Sequence, residues 1–147
     1  MRPLFLAVIL ISGSLATAYA CRTSCKSPGP ASAARQAKVA FVGTVTKTNI
    51  VEDCVPKHPD WCTRSYSYDV AVESVWKGKV GKTIVVDAGT NTGDCTQGKL
   101  GKNIDNQRWL FFSRTETLTI YMCSGTRRAS DKDIAAITAA LGAPSAP

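Results

Sequence analysis

Histidine is the scarcest reactive residue in this sequence, since His58 is the only one among 147 residues. It lies near two prolines and between two cysteines, so a Ser/His/Asp triad has no suitably placed base. Glycine-rich phosphate loops are also missing, because the glycines from Gly89 to Gly101 match neither the dinucleotide nor the P-loop spacing. The carboxylates are scattered without a matched pair. We therefore expect no enzyme activity and no cofactor.

Long hydrophobic runs are also lacking. The longest, Leu4–Ile11, is far shorter than the roughly 20 residues that span a bilayer, so no transmembrane segment is expected. With Arg2 before it and Ala18-Tyr19-Ala20 after it, this run is typical of a secretory signal peptide over residues 1–20. The mature chain would begin at Cys21 and be secreted or periplasmic.

A cysteine directly after the cleavage site leaves open a lipid-anchored envelope protein. The residues before Cys21 do not favour this, because a lipobox has a larger aliphatic residue where Ala18 stands and a small one at Tyr19. Intact mass separates the two hypotheses, since a lipid adds mass at Cys21.

All six cysteines follow the signal segment, at positions Cys21, Cys25, Cys54, Cys62, Cys95 and Cys123. An even number of cysteines in an exported chain predicts three disulfides, whose connectivity the sequence leaves open. Spacing alone favours a local bridge between Cys54 and Cys62. The alternative is a zinc site, Cys54-x3-His58-x3-Cys62, but it lacks a fourth ligand. In the disulfide interpretation His58 is an ordinary loop residue.

The chain is basic, with a formal charge of +7 that becomes +6 once Arg2 is removed with the signal. A basic surface attracts acidic polymers or anionic surfaces. The basic residues are scattered rather than concentrated in one run, so we favour plain solubility as the explanation of this charge.

Alternating apolar residues predict about five strands flanked by helices, and hence one mainly β domain over residues 21–147. The phase of the second strand slips at Glu73-Ser74, which predicts a β-bulge, and Gly43 in the first predicts a bend or a close backbone approach. Strands that bend in this way favour a small closed barrel. Two helices are predicted, one over Ala31–Lys38 and one that begins at Ser130 and stops at Gly142. The predicted strands are Val39–Thr46, Arg64–Trp76, Thr83–Ala88, Arg108–Ser113 and Thr117–Met122. Two long loops are predicted, at Asn49–Thr63 and Gly89–Asp105.

Four aromatic residues on these strands, Tyr66, Tyr68, Trp109 and Phe111, have two interpretations. They match a base-stacking platform of the kind that binds single-stranded nucleic acid. They equally match cross-strand core pairs, which we favour for an exported protein. No nucleic-acid partner is therefore expected.

Several segments together resemble the netrin-like module in its small bacterial form, which is related to the N-terminal domain of the tissue inhibitors of metalloproteinases. They are Cys21…Cys25, Ala40-Phe41-Val42-Gly43-Thr44-Val45, Val70 to Gly78, Gly93-Asp94-Cys95 and Cys123 to Arg128. The resemblance covers essentially the whole mature chain. It implies a five-stranded barrel of the oligonucleotide/oligosaccharide-binding type. It also implies the disulfides Cys21–Cys95 and Cys25–Cys123, so that Cys54 is left to pair with Cys62.

The resemblance further implies a function for the N-terminus. In the inhibitors, the free α-amine and the carbonyl oxygen of the first cysteine chelate the catalytic zinc of a target protease, and the next residue enters its specificity pocket. Carried over, the inhibitory edge is Cys21, Arg22, Thr23 and Ser24. This chain departs from the inhibitors in having three residues between its first two cysteines instead of one, and Arg22 where a small residue is typical.

Three alternatives to inhibition therefore remain. Cys21 and Cys25 serve only to fasten the N-terminal arm, or the protein is a non-inhibitory module that holds an acidic polysaccharide or a partner protein, or it is lipid-anchored. In each case we expect a monomer.

Overall fold

The computed structural model of the protein describes residues 26–90 and 95–147. Its elements are α1 Pro30–Gln36, β1 Val39–Val55, β2 His58–Lys77, β3 Thr83–Gly89, β4 Arg108–Ser113, β5 Arg127–Arg128 and α2 Asp131–Leu141. The strands form one antiparallel sheet in the order β3-β2-β1-β4-β5. The predicted class, mainly β with flanking helices, is confirmed. None of the helices in these two ranges has the length and apolarity needed to cross a membrane.

The sheet is open, because within the described chain β3 and β5 are its two edges and do not pair with each other. The predicted closed barrel is therefore not confirmed. Thr117–Met122, predicted as the last strand, forms only isolated bridges, one of them between Thr119 and Asp87 of β3. Leu118 has a φ of 57°, which interrupts an extended conformation there. The fifth strand is instead the two-residue β5, which pairs with β4.

The β1–β2 hairpin is much longer than predicted. Its register runs from Ala40 opposite Lys77 to Val55 opposite His58. Asn49–Thr63 is therefore not a loop, and the prediction was wrong there. The segment forms the distal half of the hairpin, because its β-branched residues suit strands and Pro56 lies in the turn, where its missing N–H costs no ladder bond.

The register of the hairpin shifts where the sequence predicted an irregularity. Val42 lies opposite Ser74 and Gly43 opposite Val72, which leaves Glu73 as the extra residue of a β-bulge. At Gly43 the strands approach so closely that a Cβ atom would lie 2.6 Å from the carbonyl oxygen of Ala71. The predicted bulge and the predicted close approach are both confirmed.

Apolar side chains are buried on both faces of the central strands, which explains why β4 is almost continuously apolar. One face carries the larger core, in which the rings of Phe41 and Phe111 stack with centroids 5.0 Å apart. Tyr68 and Trp109 belong to the same core, so the core interpretation of these aromatics is confirmed. The other face is covered by α1 and α2, with Ala34, Ala40, Val42, Leu110, Phe112 and Ile137 at its centre.

The two helices begin and end where local chemistry dictates. α1 starts at Pro30, since proline suits the first turn of a helix, and stops two residues before the predicted end. α2 follows the predicted cap: the side chain of Ser130 accepts a hydrogen bond from the Asp133 N–H at 3.2 Å. Gly142, with a φ of 90°, ends it.

Candidate functional site

The predicted inhibitory edge, Cys21 to Ser24, lies outside the described residues, as does Cys25. The structure does describe the two cysteines predicted to anchor this edge. Cys95 and Cys123 are both disulfide-bonded. The partners predicted for them, Cys21 and Cys25, are outside the described residues, so those pairings stay predictions.

The two anchor cysteines lie on neighbouring segments beside the outer edge of β3. The carbonyl oxygen of Cys95 accepts a hydrogen bond from the Met122 N–H at 3.1 Å, one residue before Cys123. Thr96 forms an isolated antiparallel bridge with Tyr121. The fold therefore brings together two cysteines that are far apart in sequence.

Tyr68 fixes the segment that follows Cys95. Its hydroxyl accepts a hydrogen bond from the Leu100 N–H at 2.9 Å and donates one to the carbonyl oxygen of Gly98 at 3.3 Å. Burial raises the pKa of the phenol, and the Leu100 hydrogen bond opposes that shift. The N–H of Gly98 donates to the carbonyl oxygen of Ala88 in β3, which attaches the same segment to the sheet. Cys95 therefore lies next to a backbone that the core holds in place.

The second candidate surface is the far end of the β1–β2 hairpin, residues 50–64, which we call the hairpin apex. Cys54 and Cys62 lie opposite each other and form the predicted disulfide. The zinc alternative is wrong for this state of the protein, because the two sulfurs are bonded and no thiolate remains to bind a metal. The Sγ atoms and a carboxylate oxygen of the exposed Glu52 lie within 4.8 Å of one another, but a lone carboxylate is not a metal site.

His58 is exposed and is the first residue of β2, so the prediction that it is a loop residue was wrong. It also has a neighbour that the sequence did not predict. Its ring stacks on that of Trp61, with centroids 4.7 Å apart and an angle of 22° between the planes. Trp61 itself is 67% exposed. The sequence signal that could have indicated this contact is a tryptophan that lies between two cysteines in a polar segment.

The hairpin apex carries an unusual concentration of exposed apolar side chains. Of the five exposed large hydrophobic residues in the described chain, four lie there: Ile50, Val51, Val55 and Trp61. Glu52 and Arg64 form an exposed ion pair of 3.1 Å beside them. Apolar patches rimmed by polar residues mark surfaces that bind a partner, whereas isolated exposed apolar residues need no explanation.

No protein-family model matches this chain, and no curated protein matches it either. The functional interpretation therefore depends on the residues and their geometry.

Proposed function

We propose that this chain is an exported, monomeric, non-enzymatic binding protein that inhibits a zinc metalloproteinase through the mature N-terminus at Cys21. The observation that carries the proposal is the disulfide bonding of Cys95 and Cys123 on adjacent segments. These are the anchors that a fixed N-terminal cysteine requires in a netrin-like, inhibitor-related module.

The chemistry of the N-terminus supports zinc chelation. An α-amino group has a pKa of about 8, so a neutral fraction that can ligate a metal exists at neutral pH, and zinc enlarges it. The thiol of a disulfide-bonded cysteine does not compete for the metal. An anchored terminus also loses little conformational entropy on binding. Arg22 then enters the specificity pocket of the protease and selects a target with a carboxylate there, because an unpaired buried guanidinium is costly.

We further propose that the open sheet is the major part of a five-stranded barrel of the oligonucleotide/oligosaccharide-binding type. Two contacts support this. Asp87 of β3 bridges to Thr119. The carbonyl oxygen of Thr119 also accepts a hydrogen bond from Ser113 Oγ at the end of β4, at 2.9 Å. The segment around Thr119 thus links strands from opposite sides of the hairpin.

The test compares mature protein starting at Cys21 with a form that carries one extra N-terminal alanine, on a panel of zinc metalloproteinases. The added residue removes the α-amine from Cys21 and leaves the disulfides unchanged. We expect inhibition by the mature form alone. Equal potency of the two forms, or no inhibition by either, contradicts chelation. Intact mass of the native protein establishes the cleavage site and tests the lipid-anchored alternative, which requires a mass increase at Cys21.

The second candidate is a non-inhibitory module that binds a partner protein or an acidic polysaccharide. The exposed apolar residues of the hairpin apex favour a protein partner, because tryptophan is enriched among residues that dominate binding energies. The +6 charge without Arg2 favours an acidic polysaccharide.

A photo-cross-linker at position 61 tests the protein partner, with position 85 as the matched control because Val85 on β3 is also exposed, at 58%. We expect saturable cross-linking from position 61 alone, competed by excess wild type and not by Trp61→Ala. Cross-linking of the same yield from both positions, or competition by Trp61→Ala, excludes the hairpin apex as the binding surface.

A further inference from the structure

A lysine-rich cleft lies at the opposite end of the hairpin from its apex. It has a volume of about 560 Å³ and lies between the end of α1, the start of β1 and the end of β2. Its charged lining residues are Lys38, Lys77, Lys79 and Glu116, and its apolar walls come from Ala37 and Val39. Residues from three separate parts of the sequence meet here, so the sequence alone did not indicate the cleft.

The positive charge of the cleft is only partly neutralised. Three lysines and one glutamate give the lining a formal charge of +2. The ion pairs found in residues 26–90 and 95–147 involve Arg64 and Arg108, and none involves a lysine of the cleft. Lys38 and Lys79 are exposed. Their ammonium groups are therefore available to an anion.

Lys77 differs from the other two lysines in having a structural role. Its Nζ donates hydrogen bonds to the carbonyl oxygens of Arg35 at 2.9 Å and Ala34 at 3.4 Å. These are carbonyls at the end of α1, where a cation is favourable. Lys77 thus holds one positive charge in a fixed position at the cleft, while Lys38 and Lys79 are free to follow a ligand.

The backbone that carries the lysines is itself well fixed. The N–H of Lys38 donates to the carbonyl oxygen of Ser113 at 2.9 Å. Gly78 has a φ of 84°, and a Cβ atom there would lie 2.9 Å from Cγ2 of Val39. Glycine is therefore required between Lys77 and Lys79, and it lets both lysines flank the same opening.

We propose that this cleft binds the carboxylate or sulfate groups of an acidic polysaccharide. The inference rests on the proposed polysaccharide-binding function and names its site. Lysine ammonium groups on flexible stems act as point charges and do not impose the planar geometry of a guanidinium, which suits anions spaced along a flexible polymer. The volume lies within the range of pockets that bind small ligands, so a short segment of the polymer fits.

The experiment compares two double variants of equal net charge. Lys38→Gln/Lys79→Gln removes the free charges of the cleft, whereas Lys47→Gln/Lys132→Gln removes two exposed lysines from β1 and α2. Lys77 is retained because of its hydrogen bonds to α1. Binding to heparin, as the sulfated probe, and to polygalacturonate, as the carboxylate probe, is measured at two salt concentrations, and Tm verifies that both variants are folded.

We expect the cleft variant to bind about 25-fold more weakly, or about fivefold for each lysine, and to show a smaller salt dependence. The control variant should bind within about twofold of wild type, since its charges lie outside the cleft. Glu116→Gln should strengthen binding, because it removes the only anion of the lining. The probe that wild type binds more tightly identifies the preferred anionic group.

Each contrary result has a distinct meaning. If both double variants lose affinity equally, the polysaccharide-binding function stands, but the assignment of its site to the cleft is wrong. If wild type binds neither probe, the proposed polysaccharide function fails together with its site. Polyglutamate bound as tightly as both polysaccharides overturns the polysaccharide assignment in favour of an acidic protein.

Discussion

Substitution of Tyr68 by phenylalanine removes one oxygen atom from the larger core and tests how the Cys95 segment is held. Tyr68 is fully buried, and its hydroxyl is hydrogen-bonded to the backbone of Gly98 and Leu100. Phenylalanine keeps the ring and its packing. The variant therefore leaves one backbone N–H and one carbonyl without their partner and changes little else.

The expected loss of stability follows from the Leu100 N–H and the Gly98 carbonyl, which lose their hydrogen-bond partner. A buried polar group left unsatisfied costs about 1–3 kcal/mol, and Leu100 is only partly buried, so water compensates in part. We expect the free energy of unfolding to fall by about 2 kcal/mol. For a domain of this size that lowers Tm by about 6–10 °C. Tyr66→Phe is the matched control, because the Tyr66 hydroxyl has no hydrogen bond in the described part of the chain, and it should leave Tm unchanged within about 1 °C.

The pH dependence provides an independent readout. Burial raises the pKa of Tyr68 in the folded protein. As the pH rises past about 10, the Tyr68 phenol therefore loses its proton in the unfolded chain before it does so in the folded protein. The contribution of Tyr68 to stability is therefore complete below pH of about 10 and is lost as the pH rises through the folded pKa. Wild type should lose stability above pH 10 more steeply than Tyr68→Phe, as measured by denaturant unfolding across this range. Identical alkaline slopes, or a Tm for Tyr68→Phe equal to that of Tyr66→Phe, would refute the reasoning.

Three further changes have definite expected outcomes. Gly43→Ala should lower the free energy of unfolding by about 2–3 kcal/mol, since its Cβ meets the Ala71 carbonyl, and an unchanged midpoint in denaturant would contradict that close approach. Ser130→Ala should cost about 1 kcal/mol by loss of the α2 cap, whereas Ser130→Asp should retain it, as thermal unfolding can measure. Cys54→Ser/Cys62→Ser should leave Tm nearly unchanged. It should speed amide hydrogen exchange in the hairpin apex by about 50-fold or more, which corresponds to a local loss of about 2–3 kcal/mol. Amides in the apex that stay equally protected would show that the disulfide is dispensable.

Local chemistry made much of the fold predictable. The bulge at Glu73 and the close approach at Gly43 were found where the pattern within each strand predicted them, although the backbone that Gly43 approaches, at Ala71, is distant in sequence. The Ser130 cap was found where expected because it involves residues close together in sequence. The Cys54–Cys62 bridge was predictable for the same reason, since only seven residues separate the two cysteines.

The errors arose where distant contacts outweigh local pattern. Asn49–Thr63 reads as a loop because it contains prolines and polar residues, yet the register set by the core half of the hairpin continues into it. Thr117–Met122 alternates like a strand, but the positive φ of Leu118 limits it to single bridges. The lysine cleft was not predictable either, because Lys38, Lys77 and Glu116 are brought together only by the folded sheet.

The hairpin apex combines exposed apolar side chains with a disulfide that joins its two strands. A two-stranded ribbon with both faces in water is marginally stable, because it has no core to bury its apolar residues. Here the Cys54–Cys62 disulfide substitutes for that missing core, so Val51, Val55 and Trp61 are not needed to stabilise the strands and remain exposed. A cross-linked ribbon also presents these side chains with less conformational freedom to lose on binding. We therefore interpret the disulfide as local support for the proposed binding surface rather than as a contribution to global stability, since the rest of the sheet already has its own core.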